Sequence, residues 1–164
     1  LIDVVSKNGN LLLSVPVRAD GTIDDKEIAI LADIKEWMDI NGQTIYGTRP
    51  WKTFGEGPLA EASNPLNAQG FNENNNYSSA DIRFVQRNDT VFAFTMRYPE
   101  EKSCTIKSLG TTSEHCNGKV KSVTMPGYGP VEFTQSAEGL DIRLPETKVN
   151  KLAATFAIGF DKES

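Results

Sequence analysis

Carboxylates beside glycine are the residues of this chain best suited to chemistry. Asp20 is followed by Gly21, and Glu56 lies between Gly55 and Gly57. Both stretches are loop-forming, so each carboxylate could contact a substrate at the mouth of a site, with Arg18 two residues before Asp20. The same residues have a plainer use. Asp-Gly is an ordinary turn signal, and exposed carboxylates in loops are common. Asp24, Asp25 and Glu27 resemble a catalytic carboxylate group only until they are placed on an element, where they become the capping residues of a helix N-terminus. His115, Cys116 and Cys104 offer three donors where a structural zinc site wants four at tighter spacing, so no metal is expected. Cys104 and Cys116 stand twelve residues apart. That spacing suits a disulfide stapling a loop between two strands, and equally two unpaired buried thiols. The amide-rich stretch Asn72 to Asn76 lacks the spaced carboxylates of a calcium loop and reads as polar surface. Asn76-Tyr77-Ser78 and Asn88-Asp89-Thr90 are glycan acceptors only in a secreted eukaryotic protein.

These residues must be held by a chain of 164 residues with a net charge of −5. The length allows one domain, or a small domain with part of a neighbour. The acidic balance excludes nucleic acid as a partner, since phosphate binding needs clustered Lys and Arg. No run of about twenty apolar residues is present, so no membrane-spanning helix is expected. No basic-then-apolar leader opens the chain, and an exported parent would carry that leader upstream.

The opening Leu1 to Ser6 has the amphipathic look of a last helical turn, stopped by Asn8-Gly9. Asn10 to Val15 is an almost continuous apolar run of strand length, the pattern of a parallel strand covered on both faces. The loop from Pro16 to Gly21 follows, and Asp24 with Glu27 predicts a capping box opening a helix from Asp25 to Asn41. Ile28, Leu31, Ile34 and Met38 form its stripe, widened by Ile30 and Trp37, and Asn41-Gly42 ends it. Helix, buried strand, loop, helix is the closing sequence of an alternating α/β protein whose other strands lie elsewhere. Trp37 on that stripe and Trp51 just past it are expected to pack rather than bind.

Beyond Trp51 the helical period is lost. A Gly-, Asn-, Ser- and Pro-rich loop is predicted from Lys52 to about Ser79. Strands follow near Ile82–Gln86, Thr90–Arg97, Ser103–Leu109, Lys119–Met125, Val131–Gln135, Leu140–Leu144 and Ala153–Phe160, joined by short turns. Phe92, Phe94 and Met96 face one way and Val91, Ala93 and Thr95 the other, as in an antiparallel β-sandwich.

Four strings carry more than their pattern: Asp3-Val4-Val5-Ser6-Lys7-Asn8-Gly9-Asn10-Leu11-Leu12-Leu13, Arg18-Ala19-Asp20-Gly21-Thr22-Ile23, Glu36-Trp37-Met38 with Ile40-Asn41-Gly42, and Ile45-Tyr46-Gly47-Thr48-Arg49-Pro50-Trp51. In that order they closely resemble the end of the catalytic barrel of the α-L-fucosidase family of glycoside hydrolases. Thr53-Phe54-Gly55-Glu56-Gly57-Pro58 and Ser79-Ala80-Asp81-Ile82-Arg83-Phe84 resemble, less strongly, the entry of bacterial members into their C-terminal β-sandwich. Ser14-Val15-Pro16-Val17 departs from the family's frequent Asn-Ile-Gly-Pro.

The resemblance implies the last strand and helices of a (β/α)8-like barrel at residues 1–50, a linker at 51–79 and an antiparallel β-sandwich at 80–164. It implies a retaining exo-α-L-fucosidase whose aspartate nucleophile and separate acid/base lie upstream of Leu1, so that this chain alone holds no catalytic residue and needs no cofactor. Its partners would be a fucosylated glycan and the rest of the barrel. Arg18, Asp20 and Glu56 are then candidates for the substrate rim, at the strand end where such barrels bind ligands. A bacterial protein of this kind would be periplasmic or secreted. The other reading is a non-catalytic β-sandwich module that binds carbohydrate or braces a neighbour.

Overall fold

The computed structural model describes residues 1–61, 76–116 and 118–161. Its centre is a pair of antiparallel sheets. The larger has the order β1-β2-β3-β9-β5-β6, built from β1 (Arg49–Glu56), β2 (Ile82–Arg87), β3 (Thr90–Thr95), β9 (Thr155–Phe160), β5 (Val120–Met125) and β6 (Gly129–Pro130). The smaller has the order β4-β8-β7, from β4 (Ser103–Ile106), β8 (Leu140–Arg143) and β7 (Phe133–Gln135). Alternation explains why the sheets stack. Ile82 and Phe84 on β2, Val91 and Ala93 on β3, and Phe156 and Ile158 on β9 share one buried cluster with Ile106, Leu140 and Ile142 of the smaller sheet.

The larger sheet is apolar on its other face too. Val85, Phe92 and Phe94 form a second cluster with Trp37 of α2 (Asp25–Asn41) and with Ile45, while Ile2 and Val5 of α1 (Ile2–Ser6) pack at its edge. Trp37 meets Phe94 with ring centroids 6.2 Å apart. Both helices therefore lie on the outer face of the sheet. The α2 bounds coincide with the expected ones, and the Asp24 side chain caps the helix by accepting the Lys26 N–H. The second half of the expected capping box, a bond back from Glu27, is not formed among these contacts.

Three expectations change. Asn10 to Val15 joins no sheet, because no neighbouring strand in the described residues offers hydrogen-bond partners, and Leu11, Leu12 and Leu13 stand 46%, 96% and 51% exposed. The expected linker at 51–79 begins inside a strand: β1 runs Arg49–Glu56 and pairs with β2, interrupted by a bulge between Pro50 and Gly55, and a short helix α3 (Pro58–Glu61) follows. Residues 62–75 of that linker, with Asn72 to Asn75, lie outside the described residues. Ser103–Leu109 splits into β4 and a 3-10 turn at Lys107–Leu109. Among the described residues no helix is long and apolar enough to cross a membrane.

Candidate functional site

Arg18 and Asp20 are brought together through Thr22. One Arg18 Nη donates to Thr22 Oγ1 at 3.4 Å and to the Ile23 carbonyl at 3.1 Å, and the other lies 3.3 Å from Asp24 Oδ2. Asp20 Oδ1 accepts the Thr22 hydroxyl at 2.7 Å and the Thr22 N–H at 3.0 Å. The Thr22 hydroxyl holds the exposed Asp20 carboxyl below the usual carboxylate range, with help from the Thr22 amide. Val17 and Ile23 close this loop with a single antiparallel bridge. The arrangement presents an ordered, ionised carboxylate with open lone pairs beside a guanidinium, which can bind hydroxyls or a water.

Glu56 belongs to another part of the molecule. Its Oε1 accepts the Lys107 N–H at 2.8 Å and its Oε2 the Ser108 N–H at 2.6 Å, so the carboxylate clasps the turn after β4 and joins the two sheets. Both oxygens are used in a structural clasp, and no hydrogen bond connects Glu56 to Arg18 or Asp20.

The densest charged centre was absent from the candidates read in the sequence. Arg83 is 1% exposed, and its Nε donates to Asp3 Oδ1 at 2.6 Å while Nη1 donates to the Ile82 carbonyl at 3.0 Å. The rings of Phe54 and Tyr77 each lie 5.5 Å from its guanidinium carbon. Lys7 Nζ donates to Asp3 Oδ2 at 2.8 Å and sits over Phe54 at 5.2 Å. Burial alone would raise the Asp3 pKa, but the hydrogen bonds and charges of Lys7 and Arg83 prevail and hold it below the usual range. Beside it, buried Asp81 accepts the N–H groups of Leu59 and Ser78 and the Ser78 hydroxyl, at 2.8 to 2.9 Å. These bonds outweigh the burial that would raise its pKa, and it too is held low. Gly57 lets the chain turn here: its φ is +103°, and a Cβ would stand 2.2 Å from the Ala80 carbonyl oxygen. Asp3 and Arg83 belong to two of the strings singled out above, 80 residues apart.

Cys104 and Cys116 are both free, which corrects the possible disulfide between them. Cys104 pairs with Ile142 at the start of β4, whereas Cys116 Sγ lies near the Leu109 and Gly118 carbonyls and Gln135 Nε2, beyond the Ile106–Leu140 level. Burial first, then the charges of Glu56, Asp141 and Glu101, push the Cys104 thiol up to about 12. His115 packs edge-on against Trp51, centroids 6.3 Å apart, and among the described residues no three His, Cys, Asp or Glu side chains gather as a metal site.

Two family models match the chain: alpha-L-fucosidase over residues 1–43 and alpha-L-fucosidase C-terminal domain over residues 74–160. Tissue alpha-L-fucosidase of Mus musculus is 28% identical over 159 residues, covering 96% of this chain and 29% of that protein. The Bos taurus tissue alpha-L-fucosidase is 38% identical over 160 residues, covering 96% of this chain and 28% of the relative. Among solved structures, the Thermotoga maritima alpha-fucosidase in complex with a mechanism based inhibitor superposes with a TM-score of 0.68 at 24% identity, covering 96% of this chain and 32% of that one. Alpha-L-fucosidase isoenzyme 1 from Paenibacillus thiaminolyticus gives 0.64 at 20% identity, with 98% and 33% covered. The chain thus spans about three-tenths of the length of these proteins.

Proposed function

Because the chain belongs to the alpha-L-fucosidase family, we propose that it is the C-terminal portion of a retaining exo-α-L-fucosidase that removes terminal fucose from glycans. Residues 1 to about 47 are the closing elements of the catalytic barrel, and the sandwich that starts at Arg49 braces them. The observation that carries this reading is the two-sided nature of the first segment. Trp37, Ile45 and Val5 pack on the sandwich, while Leu11, Leu12, Leu13, Ile28 and Ile30 are left exposed. A soluble surface rarely leaves so many large apolar groups wet on one short segment, and the remaining strands and helices of a barrel are the partner that fits them.

In this reading the nucleophile and acid/base come from outside these residues. Asp3, Glu56 and Asp81 are already engaged by cations or backbone amides, which leaves them unsuited to attack or proton transfer. Arg18 and Asp20 stay as rim candidates, next to the exposed apolar run. Glu56 is reassigned to bracing. We place the protein outside the cytoplasm, in the periplasm or secreted; its bacterial origin rests on the Thr53–Pro58 and Ser79–Phe84 strings, since the curated relatives named above are mammalian.

The test is hydrolysis of an aryl α-L-fucoside followed by NMR of the first-formed sugar. The full-length protein should release α-L-fucose with retention, and residues 1–164 alone should release none. Inversion, turnover by the short chain, or no fucose from the full-length protein each overturns the assignment.

A further inference from the structure

The outer face of the smaller sheet is not covered by any described element. Along β8, Leu140 and Ile142 point into the core, while Asp141 and Arg143 point out and are exposed. The strand register sets two polar rows across the three strands. Asp141 stands opposite Thr105 on one side and Thr134 on the other, and the Thr105 hydroxyl donates to it. Arg143 stands opposite Ser103, and its guanidinium donates to Glu132 Oε2 at 3.0 Å. Two residues along a strand put the rows roughly 7 Å apart.

This face is concave. One hollow of about 400 Å³ includes Lys102, Phe133 and Asp141, and a second of about 460 Å³ includes Tyr128, Val131 and Glu146. They share Glu132 and Arg143, so the two adjoin at the ion pair and make a shallow, open groove.

Tyr128 stands at one end, 58% exposed. It is held on a tight turn: its N–H donates to the Met125 carbonyl at 3.0 Å, and Gly127 before it has φ +80°. A Cβ on Gly127 would meet Ile40 of α2 at 2.9 Å, so the turn is also seated against the helix. An aromatic ring on a fixed turn is a stacking platform that loses little entropy on binding.

The chemistry selects the ligand. Lys102 and Arg143 face Glu132, Asp141 and Glu146, so the charges nearly cancel and favour neither a polyanion nor a polycation. Phe133 and Val131 supply apolar surface between these charges. Paired planar carboxylates and a guanidinium, with threonine and serine hydroxyls between them and an aromatic ring at the end, match alternating hydroxyls and C–H faces. We propose that this groove binds a neutral oligosaccharide lying across the smaller sheet, with Tyr128 stacking on a sugar ring and Glu132, Asp141 and Arg143 bonding its hydroxyls.

The test is a two-dimensional amide NMR titration of the full chain with a linear β-linked tetrasaccharide of galactose and N-acetylglucosamine units, which is neutral and carries no fucose. The same titration is run with an octapeptide of alternating Lys and Glu. At about 10 mM saccharide, shifts confined to Tyr128, Glu132, Arg143 and their neighbours are expected, fitting a Kd of about 1 mM. Tyr128→Ala, at an exposed position that leaves the core untouched, should weaken binding at least tenfold, and Asp141→Asn should weaken it several-fold. No saccharide shifts, shifts unchanged in both variants, or shifts with the peptide alone would each overturn the proposal. Since the probe lacks fucose, neither result bears on hydrolysis, and a failed hydrolysis assay leaves this groove standing.

Discussion

Replacing Arg83 by Met tests whether the Asp3–Arg83 contact ties the N-terminal helices to the sandwich. The guanidinium is 1% exposed and the Asp3 side chain 22% exposed. Removing one partner of a fully buried ion pair costs about 3 to 5 kcal/mol, most of it from the charge left behind. Here Asp3 keeps Lys7 as a partner and keeps some water, which puts Arg83→Met near the lower limit, about 3 kcal/mol. Met fills the apolar space against Phe54 and Tyr77, so a cavity adds little. At this chain length 3 kcal/mol is worth roughly 6 to 12 °C in Tm. Asp3→Asn leaves a neutral acceptor for Nε and should cost less, about 1.5 to 3 kcal/mol. The pair should be non-additive in a double-mutant cycle. The pH dependence has a definite sign. Asp3 is held below its unfolded pKa, so its contribution is complete above that unfolded value, near 4, and fades as pH falls through the lower folded value. Urea titrations of wild type and Arg83→Met should therefore give a difference that begins to narrow once pH falls below about 4. A cost under 0.5 kcal/mol at pH 7, or a difference that does not shrink in acid, would show that the buried contact does not hold these parts together.

Glu56→Gln should lower stability by about 1 to 2 kcal/mol, since one amide oxygen replaces two carboxylate acceptors at the Lys107 and Ser108 amides; a thermal melt within error of wild type would remove Glu56 as a clasp. Native alkylation with iodoacetamide at pH 8 should label Cys116 and spare Cys104, whose buried thiol is pushed up to about 12, and mass spectrometry of tryptic peptides reads the outcome. Prompt labelling of Cys104, or a linked Cys104–Cys116 peptide, contradicts the structure.

What was legible in the sequence was what depends on local periodicity. The α2 bounds follow from Asp24 and Asn41-Gly42, and the β2–β3 hairpin from alternation about Asn88-Asp89, where Asn88 takes φ 53°. The alternation of β3 carried a further message, since Phe92 and Phe94 are as apolar as Val91 and Ala93: a strand apolar on both faces needs two covers. Those covers proved to be the smaller sheet and the helix pair. What escaped was non-local. Lys52 to Glu56 reads as the start of a Gly-rich loop, yet it is the second part of β1, with Gly55 at a bulge on an edge strand, where glycine is tolerated. Arg83 carried one faint signal, a charge on a strand whose outward neighbour Val85 is apolar, but nothing in the sequence named Asp3 as its partner. Glu56 was read as a free loop carboxylate because the two amides it holds lie more than 50 residues away.

The same two-sided sheet decides whether the sandwich can stand alone. The linker position suggested by the sequence would let residues from Trp51 onward fold independently. The structure argues otherwise, because β1 starts at Arg49 and because Trp37, Ile45, Ile2 and Val5 cover Val85, Phe92 and Phe94. Removal of residues 1–47 would wet those three side chains, at roughly 1.5 to 3 kcal/mol each, and would leave Arg83 without Asp3. The sum approaches the whole stability of a domain this size. The truncated sandwich should therefore melt far below the full chain and self-associate through the bared face on size-exclusion chromatography. Phe92→Thr with Phe94→Thr, which keeps β-propensity while making that face polar, should restore a monomer without restoring the full melting temperature. A truncated sandwich that stays monomeric and melts with the full chain would mean that α1 and α2 only rest on the sheet, and that the cluster around Trp37 contributes nothing to its stability.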